Sequence, residues 1–268
     1  ACRLQDFMLD LPKTYECEVK LGQETTTLDA EGEVIACCPY QHVSLPALQK
    51  AAKSMLGQQV QTPPLYSAIK HKGKKLYQYA REHGSSSVVD LKKLQRKIYI
   101  YKIEIAEHQE DLLKFTTTVS KGTYIRTLAL DLAKKVSTLG YLTKLVRKES
   151  SGIHDKETFS LCTITNALMK GENLEQYLIS LSALDLKLPQ IKVHPSQIVN
   201  DLIIGKIITT TVEDLPKNFS MNRPLHTLSF PKEDILMTNA CGNVFGLGSI
   251  RSIKSSDSIN IHMHRSLL

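Results

Sequence analysis

The sequence has no long hydrophobic run. None of its segments approaches the roughly 18 apolar residues of a membrane-spanning helix, and the opening ACRLQDFMLDLPK lacks the charged start and apolar core of a signal peptide. The six cysteines form no Cys-x-x-Cys pair and no regular framework, which favours reduced, buried thiols over disulfides or a zinc site. We therefore expect a cytoplasmic protein that has no membrane partner.

Motifs that bind cofactors are missing as well. The chain has no P-loop, no glycine-rich dinucleotide fingerprint and no recognisable spacing of metal ligands. It also has no internal repeat and no low-complexity tail. These absences are compatible with a function that requires no metal, nucleotide or redox cofactor.

The composition indicates a folded protein with a preference for polyanions. With 268 residues, of which 42% are hydrophobic, the chain can bury a sizeable core and is expected to form one large and one small domain. Lys and Arg number 34 against 27 Asp and Glu, and the pI is near 9.0. This surplus favours a nucleic-acid partner, although many proteins without such a partner are mildly basic.

A strand-to-helix junction is predicted at residues 119–128 (VSKGTYIRTL). Leu112 to Ser120 is rich in β-branched residues, Gly122 permits a tight turn, and apolar residues then recur every three or four positions. Tyr124 and Arg126 lie at the junction, where free backbone N–H groups and the positive end of a helix favour functional side chains. A packed tyrosine and a solvated arginine are the alternatives that these residues alone leave open.

Other segments show clear periodicity. Tyr15 to Leu21 alternates as a half-buried strand, and Ser44 is a plausible N-cap for a helix that ends near Leu56. Ile98 to Ile105 is predicted to be a central strand, apolar on both faces. A short helix is predicted from Leu161 to Lys170, capped by Thr163 or Thr165. Near Leu188-Pro189 the composition changes to short β-rich segments separated by Gly, Pro and Asn, which predicts a small sheet or barrel.

A basic segment lies between the first predicted helix and the long strand. It contains no acidic residue between positions 65 and 81, and its tyrosines lie among its cations: Tyr66, Lys70, His71, Lys72, Lys74, Lys75, Tyr77, Tyr79 and Arg81. Lysines attract phosphates and tyrosines can stack on bases, so this pattern is typical of a surface that binds structured RNA. An ordinary solvated face is the alternative.

SKGTYIRTL, together with PPLYSAIKHKGKKLYQYAR upstream, resembles the TruB family of tRNA pseudouridine synthases. KTYECEVKLG, LDAEGEV and YLTKLVRKESSG follow the family's order and approximate spacing, so the resemblance covers nearly all of residues 1–188. It implies an α+β fold, with a mixed, largely antiparallel sheet of the pseudouridine synthase type and flanking helices. It also implies a thumb-like insertion at residues 63–92. Residues 189–268 resemble, more weakly, the small β domain that ends these proteins, and are expected to form a PUA-like domain.

The resemblance implies a function and a set of site residues. The protein is expected to be a monomer that isomerises the T-loop uridine of tRNA, position 55, to pseudouridine without a metal or other cofactor. Tyr15 is expected to stack on the target base, Tyr124 to act near the sugar or in proton transfer, and Arg126 to pair with the catalytic aspartate. The residues expected to bind the substrate, chiefly the T-arm of tRNA, are Leu145, Arg147, Lys70, Lys72, Lys74 and Lys75.

Two departures from the family pattern bear on activity. The family's catalytic aspartate lies in a Gly-His-x-Gly-x-Leu-Asp-Pro loop, which does not occur in the 268 residues and is expected upstream of Ala1. Thr26 occupies the middle of the family's Thr-Asp-Thr, which removes a carboxylate expected to pair with Arg126. We therefore expect Arg126 to turn to solvent, an RNA phosphate or another carboxylate, and Asp29 to be an ordinary surface or turn residue. A non-catalytic RNA-binding or RNA-folding protein is the competing hypothesis; a basic β protein without an RNA role is the third.

Overall fold

The computed structural model describes residues 4–83, 89–181, 184, 186, 188, 190–193, 196–211, 234–239, 241–255 and 258–267. The chain forms two compact units, one of residues 9–157 and one of residues 1–8 with 158–268. This division falls inside the predicted first domain, so the domain boundary predicted after residue 188 stays a prediction. Within the described ranges, no helix is long and apolar enough to cross a membrane.

A six-stranded antiparallel sheet forms the centre of the unit of residues 9–157. Its strands follow the order β10-β9-β1-β8-β7-β4. Their bounds are β1 Lys13–Leu21, β4 Gly57–Gln61, β7 Arg96–Gln109, β8 Leu112–Val119, β9 Gly140–Ser150 and β10 Ile153–His154. A small second sheet pairs β2 (Gln23–Thr25) with β3 (Val34–Cys37). A short helix, α1 (Gln5–Asp10), precedes the first strand.

Strand β1 shows why the sheet has one dry face. Cys17, Val19 and Leu21 are buried, whereas the charged side chains between them point away from the core. Successive side chains of a strand alternate between the two faces, so this pattern confirms the predicted half-buried strand. Burying each large apolar side chain stabilises the fold by roughly 1.5–3 kcal/mol.

Two helices cover the dry face of the sheet. Helix α2 (Leu45–Ser54) begins after Ser44, whose hydroxyl accepts a hydrogen bond from the Ala47 N–H at 3.4 Å, as the predicted N-cap requires. Helix α4 (Ile125–Lys135) buries Leu128 and Leu132 against the same core. Its stripe of apolar residues at spacings of three and four confirms the predicted helix.

Strand β7 corrects one expectation. It was predicted to be apolar on both faces, but only one face is buried, through Ile98, Ile100 and Ile103. Tyr99 and Tyr101 on the opposite face are 44% and 52% exposed. The strand lies next to the edge strand β4 rather than at the centre of the sheet. Tyrosine tolerates this position because its ring is apolar while its hydroxyl stays in water.

The segment between β4 and β7 forms a separate small hairpin and helix. Strands β5 (Lys70–His71) and β6 (Lys74–Lys75) pair across a two-residue loop, and helix α3 (Leu76–His83) follows directly. Both loop residues, Lys72 and Gly73, have positive φ, of 48° and 83°. This is the backbone that a tight two-residue hairpin requires, and glycine adopts it without strain.

The other unit is rich in strands. Its five-stranded sheet has the order β11-β13-β14-β15-β12, and only β11 and β13 pair in parallel among the described strands. The strands are β11 Gln190–Lys192, β12 Ile207–Thr211, β13 Asp234–Thr238, β14 Val244–Ser255 and β15 Ser258–Ser266; helix α6 is Ser196–Ile203. Leu202 and Phe245 lie in its core. The predicted small β-rich C-terminal sheet is confirmed.

Helix α5 (Leu161–Met169) lies in the same unit and corrects a second expectation. Its N-cap is Ser160, not Thr163 or Thr165. The Ser160 hydroxyl accepts a hydrogen bond from the Thr163 N–H at 3.0 Å. A cap side chain must lie just before the first helical residue to reach these N–H groups, and the helix begins two residues before Thr163 and four before Thr165.

Candidate active site

The junction between β8 and α4 presents the candidate catalytic side chains. Gly122 has φ of +75°, and the Thr123 hydroxyl donates to the Ser120 carbonyl at 2.9 Å, so the chain turns sharply after the strand. Tyr124 is the N-cap residue of α4 and makes no side-chain capping bond. Arg126 follows in the first helical turn, so the junction presents both side chains at the start of the helix.

The guanidinium of Arg126 is held by three acceptors. Its Nη1 donates to the Thr27 carbonyl at 2.7 Å and to Asp29 Oδ2 at 2.9 Å, and its Nη2 donates to the Tyr66 carbonyl at 2.8 Å. The side chain is only 24% exposed. Hydrogen bonds between charged groups are stronger than neutral ones and gain further where water is partly excluded. Arg126 is thus fixed in orientation before any ligand binds.

The pairing of Arg126 with Asp29 corrects the expectation based on Thr26. The arginine does have a carboxylate partner, three residues after the threonine. Asp29 is not the ordinary surface or turn residue that was expected, because it forms an isolated β-bridge with Leu142 and its side chain is only 27% exposed. Its Oδ1 accepts from the Thr27 hydroxyl and from the Glu31 N–H, which leaves Oδ2 to accept from Arg126. Of the three directions predicted for Arg126, the structure shows another carboxylate.

Gln61 and Arg96 surround Tyr124, and neither was predicted. The Gln61 carboxamide accepts from the Tyr124 N–H at 2.8 Å and donates to the Tyr124 carbonyl at 3.1 Å. The guanidinium carbon of Arg96 lies 5.8 Å from the centre of the Tyr124 ring. The proximity of Gln61 to the Pro63-Pro64 break was visible in the sequence, but a contact across 63 positions was not.

Tyr15, Leu145 and Arg147 share one face of the sheet. Tyr15 lies opposite Arg147, and Cys17 lies opposite Leu145, in the antiparallel pairing of β1 with β9. Directly opposed residues in such a pair point to the same face, which here is the face covered by the helices. Leu145 is nevertheless 45% exposed, so this part of the face is open.

These strand residues lie toward the same end of the sheet as the junction. Tyr15 is opposite Thr117 on β8, two residues before that strand ends and leads to Tyr124. The structure thus brings Tyr15, Leu145 and Arg147 together on adjacent strands. It brings Tyr124 and Arg126 together at the start of α4.

Positive charge borders this region. Burial lowers the pKa of Lys13, and the nearby charge of Arg147 lowers it further. The Lys13 ammonium donates to the carbonyls of Leu9 and Leu11, each at 2.6 Å. Lys13, Arg147 and Lys121 outnumber the nearby carboxylate of Asp10 at the start of β1, and this surplus provides a local attraction for anionic groups such as phosphates.

The four predicted thumb lysines fall into two classes. Lys70 and Lys72 are exposed and have no ion-pair partner in the described part of the chain. Lys74 pairs with Glu82, and its ammonium lies 5.1 Å from the Tyr79 ring centre. The ammonium of Lys75 lies 5.5 Å from the ring centre of Tyr77. The faces of these tyrosines are therefore shared with cations of the same segment.

The expectation of buried thiols holds for Cys17 alone among the described cysteines, since Cys38 is half-buried and Cys37, Cys162 and Cys241 are exposed. Burial raises the pKa of Cys17 to about 12, so this thiol is neutral and unreactive at ordinary pH. Among the residues that the structure describes, no group of three or more His, Cys, Asp or Glu side chains could hold a metal ion.

Comparison with protein families and curated proteins gives consistent matches. The family model for the N-terminal domain of TruB family pseudouridylate synthases matches residues 1–125. The tRNA pseudouridine synthase B of Psychrobacter cryohalolentis is 37% identical over 183 residues, which are 68% of this chain and 49% of that protein. That of Neisseria meningitidis serogroup B is 38% identical over 166 residues, 62% of this chain and 52% of that protein. The chain thus spans about half the length of these two relatives.

A more distant relative matches over more of its length. The tRNA pseudouridine synthase B of Dehalococcoides mccartyi is 32% identical over 226 residues, which are 83% of this chain and 73% of that protein. This match extends well beyond the residues that the family model covers.

Solved structures share the fold. A Cbf5-Nop10-Gar1 complex contains a chain that superposes with a TM-score of 0.66 at 16% identity, covering 99% of this chain and 69% of that chain. An H/ACA RNP bound to a substrate RNA containing 2′-deoxyuridine gives a TM-score of 0.64 at 13% identity, with the same coverage. At such identity the likeness concerns the fold alone, and it confirms the predicted α+β class with its β-rich C-terminal part.

Proposed function

The chain belongs to the TruB family of pseudouridylate synthases, and from this premise we propose that it isomerises the T-loop uridine of tRNA, position 55, to pseudouridine. The observation that carries the proposal is the arginine at the β8–α4 junction, fixed by Asp29 and two carbonyls. The names of the curated relatives support tRNA as the substrate. We place the reaction in the cytoplasm and assign it to a monomer that contacts the T-arm.

The reaction rearranges one nucleotide and consumes nothing. The bond between C1′ of the ribose and N1 of uracil breaks, the base turns, and C1′ bonds to C5 of the same base. N1 gains a proton and C5 loses one, so the product is an isomer of the substrate. No metal, nucleotide or redox cofactor is needed for this balance.

The residues of the candidate site have complementary roles in this proposal. Tyr15 stacks on the flipped uracil beside Leu145, and Tyr124 acts near the sugar or transfers a proton. Extracting a base from its stack costs a few kcal/mol, which contacts from the thumb lysines Lys70 and Lys72 offset. Arg147 holds the phosphate backbone near the pocket.

Arg126 orients the family's catalytic aspartate. A guanidinium has five N–H donors, and three of the hydrogen bonds they can form go to Thr27, Asp29 and Tyr66. The remaining donors have no partner within the described ranges and can bind a second carboxylate. A cation that is already fixed keeps such a carboxylate ionised against the effect of burial, which alone would raise its pKa.

The test supplies the aspartate loop, because that loop does not occur among the 268 residues. We compare the chain by itself with a chimera in which the aspartate-bearing segment of a family member precedes it. Both are given T-arm RNA labelled with tritium at C5 of its uridines, and tritium release is measured together with RNA affinity.

We expect both proteins to bind the T-arm RNA, and only the chimera to release tritium. A chimera that binds this RNA but forms no pseudouridine would overturn the proposed activity in favour of RNA binding alone. Tritium release by the chain alone would show that another carboxylate serves as nucleophile.

A further inference from the structure

Two residues that face each other across neighbouring strands both contact Tyr124. Gln61 is the last residue of β4 and Arg96 the first of β7, and the two are paired in the sheet register. The residues just outside the two strands are also linked, since the amide of Gln95, which precedes β7, donates to the hydroxyl of Thr62, which follows β4, at 3.0 Å. The ends of the two strands therefore form one structural unit beside the β8–α4 junction.

Gln61 fixes the main chain of Tyr124. It is only 2% exposed, and its carboxamide uses its oxygen for the Tyr124 N–H and its nitrogen for the Tyr124 carbonyl. With the amide reversed, neither group would be satisfied, so the two hydrogen bonds fix the peptide groups on both sides of the Tyr124 Cα. The N–H of an N-cap residue needs such an external partner because no helical carbonyl can reach it.

Arg96 contacts the ring of the same residue. Its guanidinium lies over the Tyr124 ring, where the electron-rich face attracts a cation. No ion-pair partner for Arg96 occurs in the described part of the chain, so its charge is not committed to a carboxylate. Arg96 Nη1 also lies within ordinary van der Waals distance, 3.4 Å, of the place where a Cβ of Gly122 would be, so the guanidinium lies directly beside the turn that precedes Tyr124.

We propose that Gln61 and Arg96 are positioning residues that set the backbone and the ring of Tyr124 for its action on the target nucleotide. The action of Tyr124 on the nucleotide rests on the proposed function, whereas the position in which Gln61 and Arg96 hold Tyr124 does not. Displacing a reacting group by about 1 Å can cost roughly a hundredfold in rate. Gln61 acts on the main chain of Tyr124 and Arg96 on its ring, so the two contacts restrict both kinds of displacement.

The first test reads the position of Tyr124 without any reaction. All tyrosines of the chain are replaced by 3-fluorotyrosine, and the fluorine resonance of Tyr124 is assigned from its loss in Tyr124→Phe. Gln61→Met and Arg96→Gln should shift or broaden this resonance. The matched controls Gln59→Met, on the same strand, and Lys97→Gln, next to Arg96, should not. A Tyr124 resonance that is the same in all four variants overturns the proposal.

The second test replaces Gln61 with a residue that can gain or lose a proton. In Gln61→Glu an ionised carboxylate faces the Tyr124 carbonyl, which repels it, whereas the protonated acid can donate a hydrogen bond there. The Tyr124 resonance should therefore return toward that of the unsubstituted chain as the pH falls through the pKa of the glutamate. A residue that only fills space would show no such return, and its absence removes Gln61 from the proposal. This variant also serves where Gln61→Met fails to fold.

The third test measures the rate of tritium release by the chimera. Gln61→Met and Arg96→Gln should each slow product formation by about 10- to 100-fold while RNA affinity changes less than about threefold. In a Tyr124→Phe background the same substitutions should have little further effect, because they act through Tyr124. Losses that multiply in the double variants show independent action and overturn the proposal. A chimera without turnover counts against the proposed function only, and the fluorine resonance then decides the positioning role.

Discussion

The β8–α4 junction around Tyr124 and Arg126, here called the pocket, and the predicted thumb-like insertion of residues 63–92, here called the thumb, both carry cations but in opposite surroundings. In the pocket, Arg126 is half-buried and already bonded to Asp29 and two carbonyls. In the thumb, Lys70 and Lys72 extend from a two-residue hairpin into solvent, without an ion pair in the described ranges. The contrast is between a cation that hydrogen bonds already hold in one orientation and cations that extend into solvent.

The two environments give different dependence on geometry and on salt. A charge in a partly dry pocket interacts strongly over short distances, so a small change in shape matters. A solvated lysine contributes mainly by releasing counterions from the nucleic acid, which depends on salt and little on exact placement. Substitutions in the pocket should therefore affect the reaction, and substitutions in the thumb should affect affinity.

The largest effect is expected from Arg126→Lys. The lysine keeps the positive charge but cannot reach three acceptors at once, so the aspartate loop loses its fixed partner. In the chimera, product formation should fall at least about a hundredfold, while T-arm affinity changes less than about tenfold. Single-turnover tritium release and filter binding measure the two quantities.

Lys50→Ala, on the exposed face of α2, is the control for Arg126 and should leave both quantities unchanged. Equal losses of rate and affinity in Arg126→Lys would show a phosphate-binding arginine instead. A substitution in the pocket would then affect RNA affinity as much as the reaction rate, and the distinction between pocket and thumb would not hold.

Asp29→Asn should have the next largest effect. The side chain keeps its shape, but Arg126 loses the anion that fixes it, and product formation by the chimera should fall roughly tenfold. The free energy of unfolding, measured by urea denaturation, should fall by about 1 kcal/mol, since the pair is partly exposed. Asp111→Asn breaks an exposed pair with Lys20, at 3.7 Å, and serves as the matched control with little effect. Equal loss in both variants would mean that the pocket pair has no special role.

A smaller effect is expected from Lys70→Ala with Lys72→Ala. The double variant should bind T-arm RNA about fivefold more weakly at moderate salt, with a slope of log affinity against log salt reduced by about one for each lost phosphate contact. The rate of the bound complex should not change. Lys50→Ala with Lys53→Ala removes two exposed charges from α2 and should leave the slope unaltered; a matching change in slope would mean that net charge alone is responsible.

Local features were predictable from the sequence because neighbouring residues determine them. The alternation of Tyr15 to Leu21 and the turn at Gly122 both appear in the structure where the pattern placed them. Ile98 to Ile105 was misjudged because isoleucine alternates there with tyrosine, and tyrosine is compatible with a wet face as well as a dry one.

The contacts that complete the site could not be predicted in the same way. Asp29 reaches Arg126 across 97 positions, and Gln61 reaches Tyr124 across 63. Such pairs depend on how the strands are ordered in the sheet, which periodicity does not specify. The resemblance to a family named the arginine and the tyrosine, whereas their partners became visible only with the fold.

The smallest effect is expected at Asp131 on α4, a carboxylate for which no ion pair like that of Asp29 with Arg126 occurs in the described part of the chain. Burial raises the pKa of Asp131, and the charges of Lys134 and Lys135 offset this only in part. At pH values between the pKa of Asp131 in the unfolded chain and its higher pKa in the folded protein, the folded protein therefore binds a proton that the unfolded chain has released. Its contribution to stability is complete below the pKa of the unfolded chain and is lost as the pH rises through the folded pKa. Asp131→Asn, neutral at every pH, should be more stable than the unsubstituted chain at pH 7 by less than about 1 kcal/mol, and this advantage should vanish as the pH approaches 4. Urea denaturation at both pH values measures this difference in stability.

At pH 7, Asp29→Asn should have the opposite effect on stability, since the Asp29 carboxylate is paired with Arg126. If Asp131→Asn lowers the free energy of unfolding at pH 7, as Asp29→Asn is expected to do, then the ion pair with Arg126 does not account for a difference in stability between the two substitutions.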